Sequence, residues 1–316
     1  MSATATLGNP SDRRPMALFA ALTLISLPAM VVFSEAVYFN VQNRNNGTIV
    51  SSGQEREYLL YVPRSYVSAR PTPLVISMHP GGGWPAAQRE VSQWNRVADE
   101  HGFIVVYPSG IKSTVPNMWR MDGGTGLAND IRFIADLIDK LEADFNIDKS
   151  RVYADGISNG GGMAFVLSCA LSDRIAAVGL VASAQLLPWR WCKDPKPMPM
   201  ITFHGTADPM APYNGGQTFV ASVSFPSIPT WTTNWARRNK CATDPIESQV
   251  ASDVSRLEYT NCAENASVIF YTIKGGGHSW PGGGPPPKWL VGSTSNSVDA
   301  SGLMWTFFSE HPRYKR

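Results

Sequence analysis

The stretch that decides the fold is RVYADGISNGGGM, residues 151–163. Its first four residues predict a short strand, and the apolar residues that follow Gly162 predict a helix. Ser158 lies between them on a turn so tight that its neighbours must be small, as Gly156 and Gly160 are. A glycine on each side of a serine, as in Gly156–Gly160, also arises by chance, so the pentapeptide alone is a weak signal. A glycine-rich turn with a purely structural role is the alternative. The flanking strand and helix favour Ser158 as a candidate nucleophile.

The rest of the chain repeats this alternation of strand and helix. The helix predicted over Ala128–Phe145 has apolar side chains every three or four residues, and Val91–His101 and Ser297–Glu310 are further helix candidates. Strands alternating with helices predict an α/β fold: a mainly parallel central sheet, helices on both faces and a single domain. The predicted strands are Tyr58–Val62, Leu74–Met78, Phe103–Tyr107, Arg151–Ala154, Ala176–Val181, Met200–Phe203 and Val268–Ile273.

The composition is that of a globular chain with no particular affinity for polyanions. Of the 316 residues, 43% are hydrophobic, which excludes an intrinsically disordered chain. The 27 basic and 25 acidic residues give a net charge of +2. No basic run is present to drive binding by counterion release, so nucleic acid is not expected as a partner. The oligomeric state has no signature in the sequence.

The first 36 residues are typical of a secretion signal. A pair of arginines precedes the apolar run Met16–Phe33, and small residues three apart follow it at Ser34 and Ala36. We therefore predict a signal over residues 1–36, a folded domain over residues 37–316 and a secreted or extracytoplasmic protein. A buried core helix and a retained anchor are the alternatives, and only an anchor would bring the chain to a membrane.

The four cysteines agree with export. An even number of cysteines in an exported chain predicts two disulfides, and pairing of sequence neighbours closes the shortest loops. That pairing joins Cys169 to Cys192 and Cys241 to Cys262, with buried free thiols as the alternative. None of the four lies in a C-x-x-C pair, so zinc or a redox dithiol has little support, and no metal or cofactor is predicted.

Two further residues have the positions that a serine nucleophile requires. A serine hydroxyl needs a base to take its proton and a carboxylate to orient that base. Asp208 follows the strand predicted at Met200–Phe203, and His278 follows the strand predicted at Val268–Ile273. The order Ser158, Asp208, His278 is the chain order of the catalytic residues in α/β hydrolases, where the last two lie on loops after later strands.

The rivals of these residues are less well placed. Two other histidines precede Asp208 and are predicted to organise loops, one lies at a helix end and one in the charged tail; they are His79, His204, His101 and His311. Among the carboxylates, Asp244 and Asp253 are the alternatives to Asp208.

Attack on an ester also requires donors for the oxyanion that forms. The backbone N–H of Asn159, immediately after the candidate nucleophile, is one. The glycine run after Met78 supplies the other, and because Pro80 has no N–H, Gly81 is the first candidate. A glycine turn without catalytic duty is the alternative. A phosphate site is excluded because no Gly-Lys-Ser/Thr follows.

Tryptophans near these loops predict an aromatic wall. Trp84 follows the glycine run, Trp119 lies in Asn117–Arg120, and Trp280 is two residues beyond His278. Exposed aromatic rings suit flat acyl groups or sugars, so these three are the substrate-binding candidates. A core position is the alternative for each.

Taken together, these segments resemble the secreted esterase family of polyhydroxybutyrate depolymerase-like proteins and bacterial feruloyl esterases. The resemblance extends from about Tyr58 to Pro312. It rests on an ordered series of segments: Tyr61–Pro63, His79–Gly83, Asn146–Tyr153, Gly156–Gly161, Phe203–Tyr213, Trp235–Cys241, Tyr259–Cys262 and Gly275–Gly283.

The resemblance implies an α/β-hydrolase fold, no cofactor, and disulfides between neighbouring cysteines. By the same similarity Ser158 is the nucleophile, Asp208 the orienting acid and His278 the base. Pro80 stands where the family usually has glycine.

We therefore expect a serine ester hydrolase that works through an acyl-enzyme and takes an ester, small or polymer-derived, as its partner. Hydroxybutyrate oligomers, feruloyl or acetyl groups on plant polysaccharide and aromatic polyesters all stay open as substrates. An acyltransferase with the same three residues and a non-catalytic surface binding protein are the alternative functions.

Overall fold

The structure is a computed structural model that describes residues 45–111, 117–121, 123–185, 187–193, 195–218, 221–284 and 288–313. The predicted secretion signal lies outside these ranges. Within them, no helix combines the length and the apolar character that crossing a bilayer demands.

Ten of the twelve described strands form one sheet, and the other two form a short hairpin. The strands are β1 (Gly47–Ser51), β2 (Gln54–Tyr61), β3 (Thr72–Met78), β4 (Ile104–Pro108), β5 (Ile147–Ile157), β6 (Ala177–Val181), β7 (Met200–Gly205), β8 (Gly216–Thr218), β9 (Ala221–Phe225), β10 (Ile246–Ala251), β11 (Val254–Tyr259) and β12 (Val268–Ile273).

The large sheet has the order β1-β2-β4-β3-β5-β6-β7-β12-β11-β10. Its centre, from β4 to β12, is parallel throughout, whereas the pairs at both margins are antiparallel. All seven predicted strands are present, and the predicted mainly parallel sheet is confirmed. Parallel order has a functional consequence, because it brings the carboxyl ends of the central strands to one end of the sheet, where ligand sites form in such folds.

Helices cover both faces of the sheet. They are α1 (Pro85–Ser92), α2 (Trp94–His101), α3 (Thr125–Asp144), α4 (Asn159–Ala170), α5 (Ile228–Arg238), α6 (Lys288–Val291) and α7 (Ala300–Glu310). Buried residues of α3, α4 and α5 pack on one face, and those of α1, α2 and α7 pack on the other.

Each face has its own apolar core, and the central strands contribute to both. Along β3, Leu74 and Ile76 belong to the core under α3 and α4, whereas Val75 belongs to the core under α2 and α7. This alternation follows from the period of two in a strand, and it explains why β3 is buried along its whole length.

One predicted helix is wrong in its continuity. The segment predicted as a helix over Val91–His101 contains the end of α1 and all of α2, because Gln93 between them has φ 56° in the left-handed region. The backbone N–H of Gln93 donates to Arg89 O and caps α1. No glycine or proline marks this break in the sequence.

Both expected disulfides are present. Cys169 at the end of α4 is joined to Cys192, and Cys241 is joined to Cys262. The first bond attaches the helix that begins after Ser158 to the segment between β6 and β7. Disulfides of this kind persist in oxidising compartments, which is the setting that the sequence predicts.

Candidate active site

The turn between β5 and α4 holds Ser158 in an uncommon backbone conformation. Ser158 has φ 56° and ψ −121°, which a residue other than glycine adopts only where its surroundings enforce it. Its N–H donates to Val181 O at 3.0 Å, and its carbonyl oxygen accepts from Gly162 N–H and from Ser183 Oγ. These bonds tie the turn to the end of β6 and to the first turn of α4.

The glycines of this turn are required by close contacts. A Cβ on Gly160 would lie 2.2 Å from the carbonyl oxygen of Met78, and one on Gly156 would lie 2.5 Å from the carbonyl carbon of Gly160. A Cβ on Gly161 would lie 2.6 Å from Ser183 Cβ. The pattern around Ser158 is therefore a packing requirement at the point where the elbow meets β3 and β6.

Asp208 and His278 are in direct contact. They follow β7 and β12, which are adjacent parallel strands. His278 Nδ1 lies 2.8 Å from Asp208 Oδ2 and 3.1 Å from Oδ1. Asp208 Oδ1 also accepts from the backbone N–H groups of Met210 and Ala211, each at 2.8 Å. Because a carboxylate only accepts, His278 carries its proton on Nδ1, which leaves Nε2 free as a base.

Asp208 remains ionised although it is buried. Burial by itself raises the pKa of Asp208. The hydrogen bond from His278, the attraction of its ring and of His204 when they are protonated, and the Ala211 N–H together hold that pKa below its ordinary value. His204 Nε2 lies 3.4 Å from Asp208 Oδ2 and 2.8 Å from Ala211 O. Burial lowers the pKa of His204 more than Asp208 raises it, so this second imidazole is neutral.

The three residues follow β5, β7 and β12, so they lie at the same end of the sheet. Ser158 is partly exposed there. Among the hydrogen bonds of the described residues, none joins Ser158 Oγ to His278. In enzymes without bound substrate such bonds are often long, and they tighten in the substrate complex. The rival Asp253 lies in the turn between β10 and β11, where it accepts from Ser295 Oγ.

The two residues predicted to donate to the oxyanion, Asn159 and Gly81, lie close to each other next to the turn that holds Ser158. Asn159 is the first residue of α4, so its N–H has no acceptor within the helix. A Cβ on Gly81 would lie 3.5 Å from Asn159 Cβ, so the two predicted donors are neighbours. The N–H groups of Gly82 and Gly83 donate to Asn117 O and Pro80 O, whereas that of Gly81 has no acceptor among the described residues.

The side chain of Asn159 fixes this donor pair to a second loop. Its Oδ1 accepts from the N–H of Trp119 at 2.8 Å, and its Nδ2 donates to the carbonyl oxygen of Trp119 at 3.0 Å. Trp119 Nε1 in turn donates to His79 O at 3.1 Å. The sequence predicts a role for the backbone of Asn159, but nothing in it indicates this clamp.

His79 organises the loop, as the sequence predicts. Its Nε2 accepts from Gly110 N–H at 2.9 Å, so Nδ1 carries the proton and donates to Pro80 O at 2.7 Å. Burial lowers the pKa of His79 to about 4, so the ring stays neutral. Pro80 thus contributes its carbonyl oxygen to the loop, and its missing N–H leaves no donor unsatisfied.

A buried ion pair stabilises the loop that contains Trp119 and Arg120. Arg56 on β2 lies 2.8 Å from Asp130 on α3, and the two side chains are 5% and 0% exposed. The second oxygen of Asp130 accepts from Arg120 N–H, next to the clamped Trp119. The Arg56 guanidinium also donates to Ser109 O and stacks over the Phe133 ring. The pair therefore joins β2, α3 and the loop that holds Asn159.

The predicted aromatic wall is wrong for two of its three members. Trp280 has no exposed surface, and its Nε1 donates to Ser301 Oγ on α7. Trp119 is 1% exposed and belongs to the clamp. Both large rings pack into apolar cores, where burial of their apolar surface stabilises the fold more than exposure on a loop would. Trp84 is half-buried at the start of α1, and its role in substrate binding stays a prediction.

The arrangement has the parts of covalent acyl-transfer chemistry. A hydroxyl lies on a strained turn, an imidazole is oriented by an ionised carboxylate, and the residue after the hydroxyl-bearing serine, Asn159, has Gly81 as a neighbour. Across the described ranges, no three His, Cys, Asp or Glu side chains are grouped so that they could hold a metal ion.

Fold and family agree on the class of protein. A parallel sheet with helices on both faces and a serine elbow after a central strand is the arrangement of α/β-hydrolase esterases. The model of the family "Esterase PHB depolymerase" matches residues 56–228, more than half of the chain. The chain belongs to this family, and its class is that of carboxylic ester hydrolases.

Individual relatives and solved structures share only low sequence identity with this chain. Feruloyl esterase B of Piromyces equi is 29% identical over 230 residues, 71% of this chain but 42% of that protein, so the chain spans less than half of that relative. Feruloyl esterase C of Emericella nidulans is 26% identical over 263 residues, 80% of this chain and 83% of that protein. The solved structure of an acetyl xylan esterase from Aspergillus awamori has a TM-score of 0.59 at 16% identity, covering 74% of this chain and 93% of that one, which supports the fold.

Proposed function

We propose that the chain is an exported serine esterase in which Ser158, Asp208 and His278 form the catalytic triad. The observation that carries this proposal is the 2.8 Å contact between His278 Nδ1 and Asp208 Oδ2, at the same end of the sheet as the turn that holds Ser158. A carboxylate that orients an imidazole in this way is what a serine nucleophile requires.

The reaction proceeds in two halves. His278 Nε2 takes the proton of Ser158 while Oγ forms a bond to the ester carbonyl carbon, and the N–H groups of Asn159 and Gly81 stabilise the oxyanion. The bond to the alcohol then breaks, and His278 returns the proton to the departing oxygen. Water, deprotonated by His278, attacks the acyl-enzyme and releases the acid and the free serine.

We propose esters of aromatic or short-chain acids linked to polysaccharide as the substrates, with hydroxyalkanoate oligomers as a second group. The names of the relatives support this range, since they are feruloyl and acetyl xylan esterases. The two disulfides support a function outside the cytoplasm. The segment over residues 1–36 is the proposed export signal. N-terminal sequencing of the exported protein tests this, with a first residue near position 37 expected and an intact leader as the contradicting result.

The catalytic proposal is tested by steady-state hydrolysis of p-nitrophenyl acetate, methyl ferulate, acetylated xylan and hydroxybutyrate oligomers. Ser158→Ala should abolish turnover of every ester that the wild type hydrolyses. Ser183→Ala, which alters the hydroxyl that holds the turn and leaves the nucleophile in place, is the matched control and should retain measurable turnover. Wild-type rates in Ser158→Ala would contradict the proposal.

A further inference from the structure

An exposed methionine side chain lies beside the proposed oxyanion hole. The terminal methyl Cε of Met118 is 3.6 Å from the position that a Cβ would take on Gly81. Met118 is 40% exposed, whereas the adjacent Trp119 is 1% exposed. The apolar end of Met118 is thus held next to a proposed donor and in contact with solvent, and the triad mechanism uses no part of this side chain.

The backbone that carries Met118 is fixed from two directions. On one side, Asn159 holds both the N–H and the carbonyl oxygen of Trp119. On the other, Met118 forms an antiparallel bridge with Ile111. A Cβ on Gly110 would lie 2.9 Å from the carbonyl carbon of Met118, so the two backbones are in close contact. The flexible thioether therefore extends from a rigid base.

The order of strands indicates which part of an ester lies on the side of Met118. Gly81 follows β3 and Met118 follows β4, on one side of β5, which carries Ser158; Asp208 and His278 follow β7 and β12 on the other side. The leaving alcohol must face His278, because that residue protonates it. The oxyanion must face Gly81. The acyl group, bonded to the same carbonyl carbon and directed away from His278, is left to the side on which Met118 lies.

We infer that Met118 forms an apolar wall of the acyl-binding site and favours bulky acyl groups, aromatic ones above all, over acetyl. The inference rests on the proposed function, and it concerns the specificity of that same site. A thioether packs favourably against an aromatic ring and adapts to ligands of different shape. An acetyl group is too short to use this contact in full, since its single methyl lies next to the carbonyl carbon.

The test compares p-nitrophenyl acetate with p-nitrophenyl cinnamate, two esters that share a leaving group and differ only in the acyl part. Met118→Ala should lower kcat/KM for the cinnamate about tenfold and change that for the acetate less than about twofold. Met118→Leu, which retains apolar volume, should recover most of the cinnamate rate. Val67→Ala is the matched control: Val67 is 54% exposed in the loop before β3, at the end of the sheet remote from Gly81, and both rates should stay unchanged.

The outcomes separate the two proposals. A selectivity ratio that stays constant in Met118→Ala would overturn the acyl wall while leaving the esterase intact. An equal loss on both esters would also overturn it, because it would assign Met118 to the support of the oxyanion hole. The purified wild type must first be shown to be folded by its circular dichroism spectrum and cooperative unfolding. If this folded protein hydrolyses neither these two esters nor the methyl ferulate, acetylated xylan and hydroxybutyrate oligomers named above, both the proposed function and the acyl wall are contradicted.

Discussion

Asn159 has two separable duties, since its backbone N–H is a proposed oxyanion donor and its side chain clamps Trp119. Asn159→Ala keeps the donor but removes both hydrogen bonds to the Trp119 backbone. A donor that is no longer held in place stabilises the transition state less, so we expect kcat to fall about 10- to 100-fold with KM nearly unchanged.

Steady-state kinetics with a short p-nitrophenyl ester measures this effect. The control is Asn234→Ala on α5, where the lost partner is the guanidinium of Arg237 and no proposed site residue is involved. That variant should keep wild-type kcat. A pure loss of stability in Asn159→Ala, with kcat unchanged, would show that the clamp plays no part in catalysis.

At the scale of single elements, β5 carries a buried carboxyl group three residues before Ser158. Asp155 has no exposed surface, and Ser77 Oγ donates to it at 2.7 Å. Burial raises the pKa of Asp155 to about 7, in spite of that hydrogen bond. The strand that leads into Ser158 therefore contains a group that changes its charge near neutral pH.

This raised pKa gives the stability of the fold a defined pH dependence. The unfolded carboxyl has a pKa of about 4, so the folded state binds the proton more tightly. The resulting stabilisation is complete below pH 4 and is lost as the pH rises through 7. Between pH 5.5 and 8.5 we expect the unfolding free energy to fall by on the order of 2 kcal/mol for this group alone.

Urea unfolding at pH 5.5, 7 and 8.5 checks this prediction by comparing the wild type with Asp155→Asn. The variant has no titrating group at this position. Its unfolding free energy should therefore fall by about 2 kcal/mol less than that of the wild type between pH 5.5 and 8.5. Asp173→Asn, which changes an exposed carboxylate, should behave as the wild type. Parallel curves for the wild type and Asp155→Asn would contradict the account.

At the scale of the whole molecule, the two disulfides stabilise the fold by restricting the unfolded chain. They close loops with sequence separations of 23 and 21 residues, and loops of this size contribute about 3 kcal/mol each. Replacing Cys169 and Cys192 together by serine should lower the unfolding free energy by about this amount. Denaturant titration measures the effect, and the pair Cys241 and Cys262 provides a matched second variant.

Thiol counting gives an independent check of the same feature. The denatured, unreduced protein should contain no free thiol, because all four cysteines are paired. Titration of two or more thiols per chain would contradict the pairing.

The sequence predicts the α/β fold and its central strands because each is an apolar run between turn residues. It also predicts that Asp208 and His278 follow strands, and the structure brings these two into contact. The break at Gln93 could not be predicted, since neither glycine nor proline marks it. The edge strand β10 is exposed along nearly its whole length, so it lacks the apolar alternation that identifies a strand.

The surroundings of the site were harder to predict than its central residues. Residue type alone does not reveal whether a tryptophan near a loop lies in the core or at the surface, and Trp280 and Trp119 proved to be buried. The clamp between Asn159 and Trp119 joins residues 40 positions apart, and it depends on a loop path that has no sequence signature. The position of Met118 beside Gly81 could not be predicted either, because a methionine next to a tryptophan in the sequence does not indicate a place in a binding site.

Active-site labelling tests the central claim most directly. The wild type is treated with a fluorophosphonate and analysed by intact-protein and peptide mass spectrometry, with Ser158→Ala and His278→Ala in parallel. We predict one adduct per chain, located on Ser158, absent in Ser158→Ala and formed far more slowly in His278→Ala. An unlabelled wild-type protein, or an adduct on a different residue, would contradict the assignment of Ser158 as the nucleophile activated by His278.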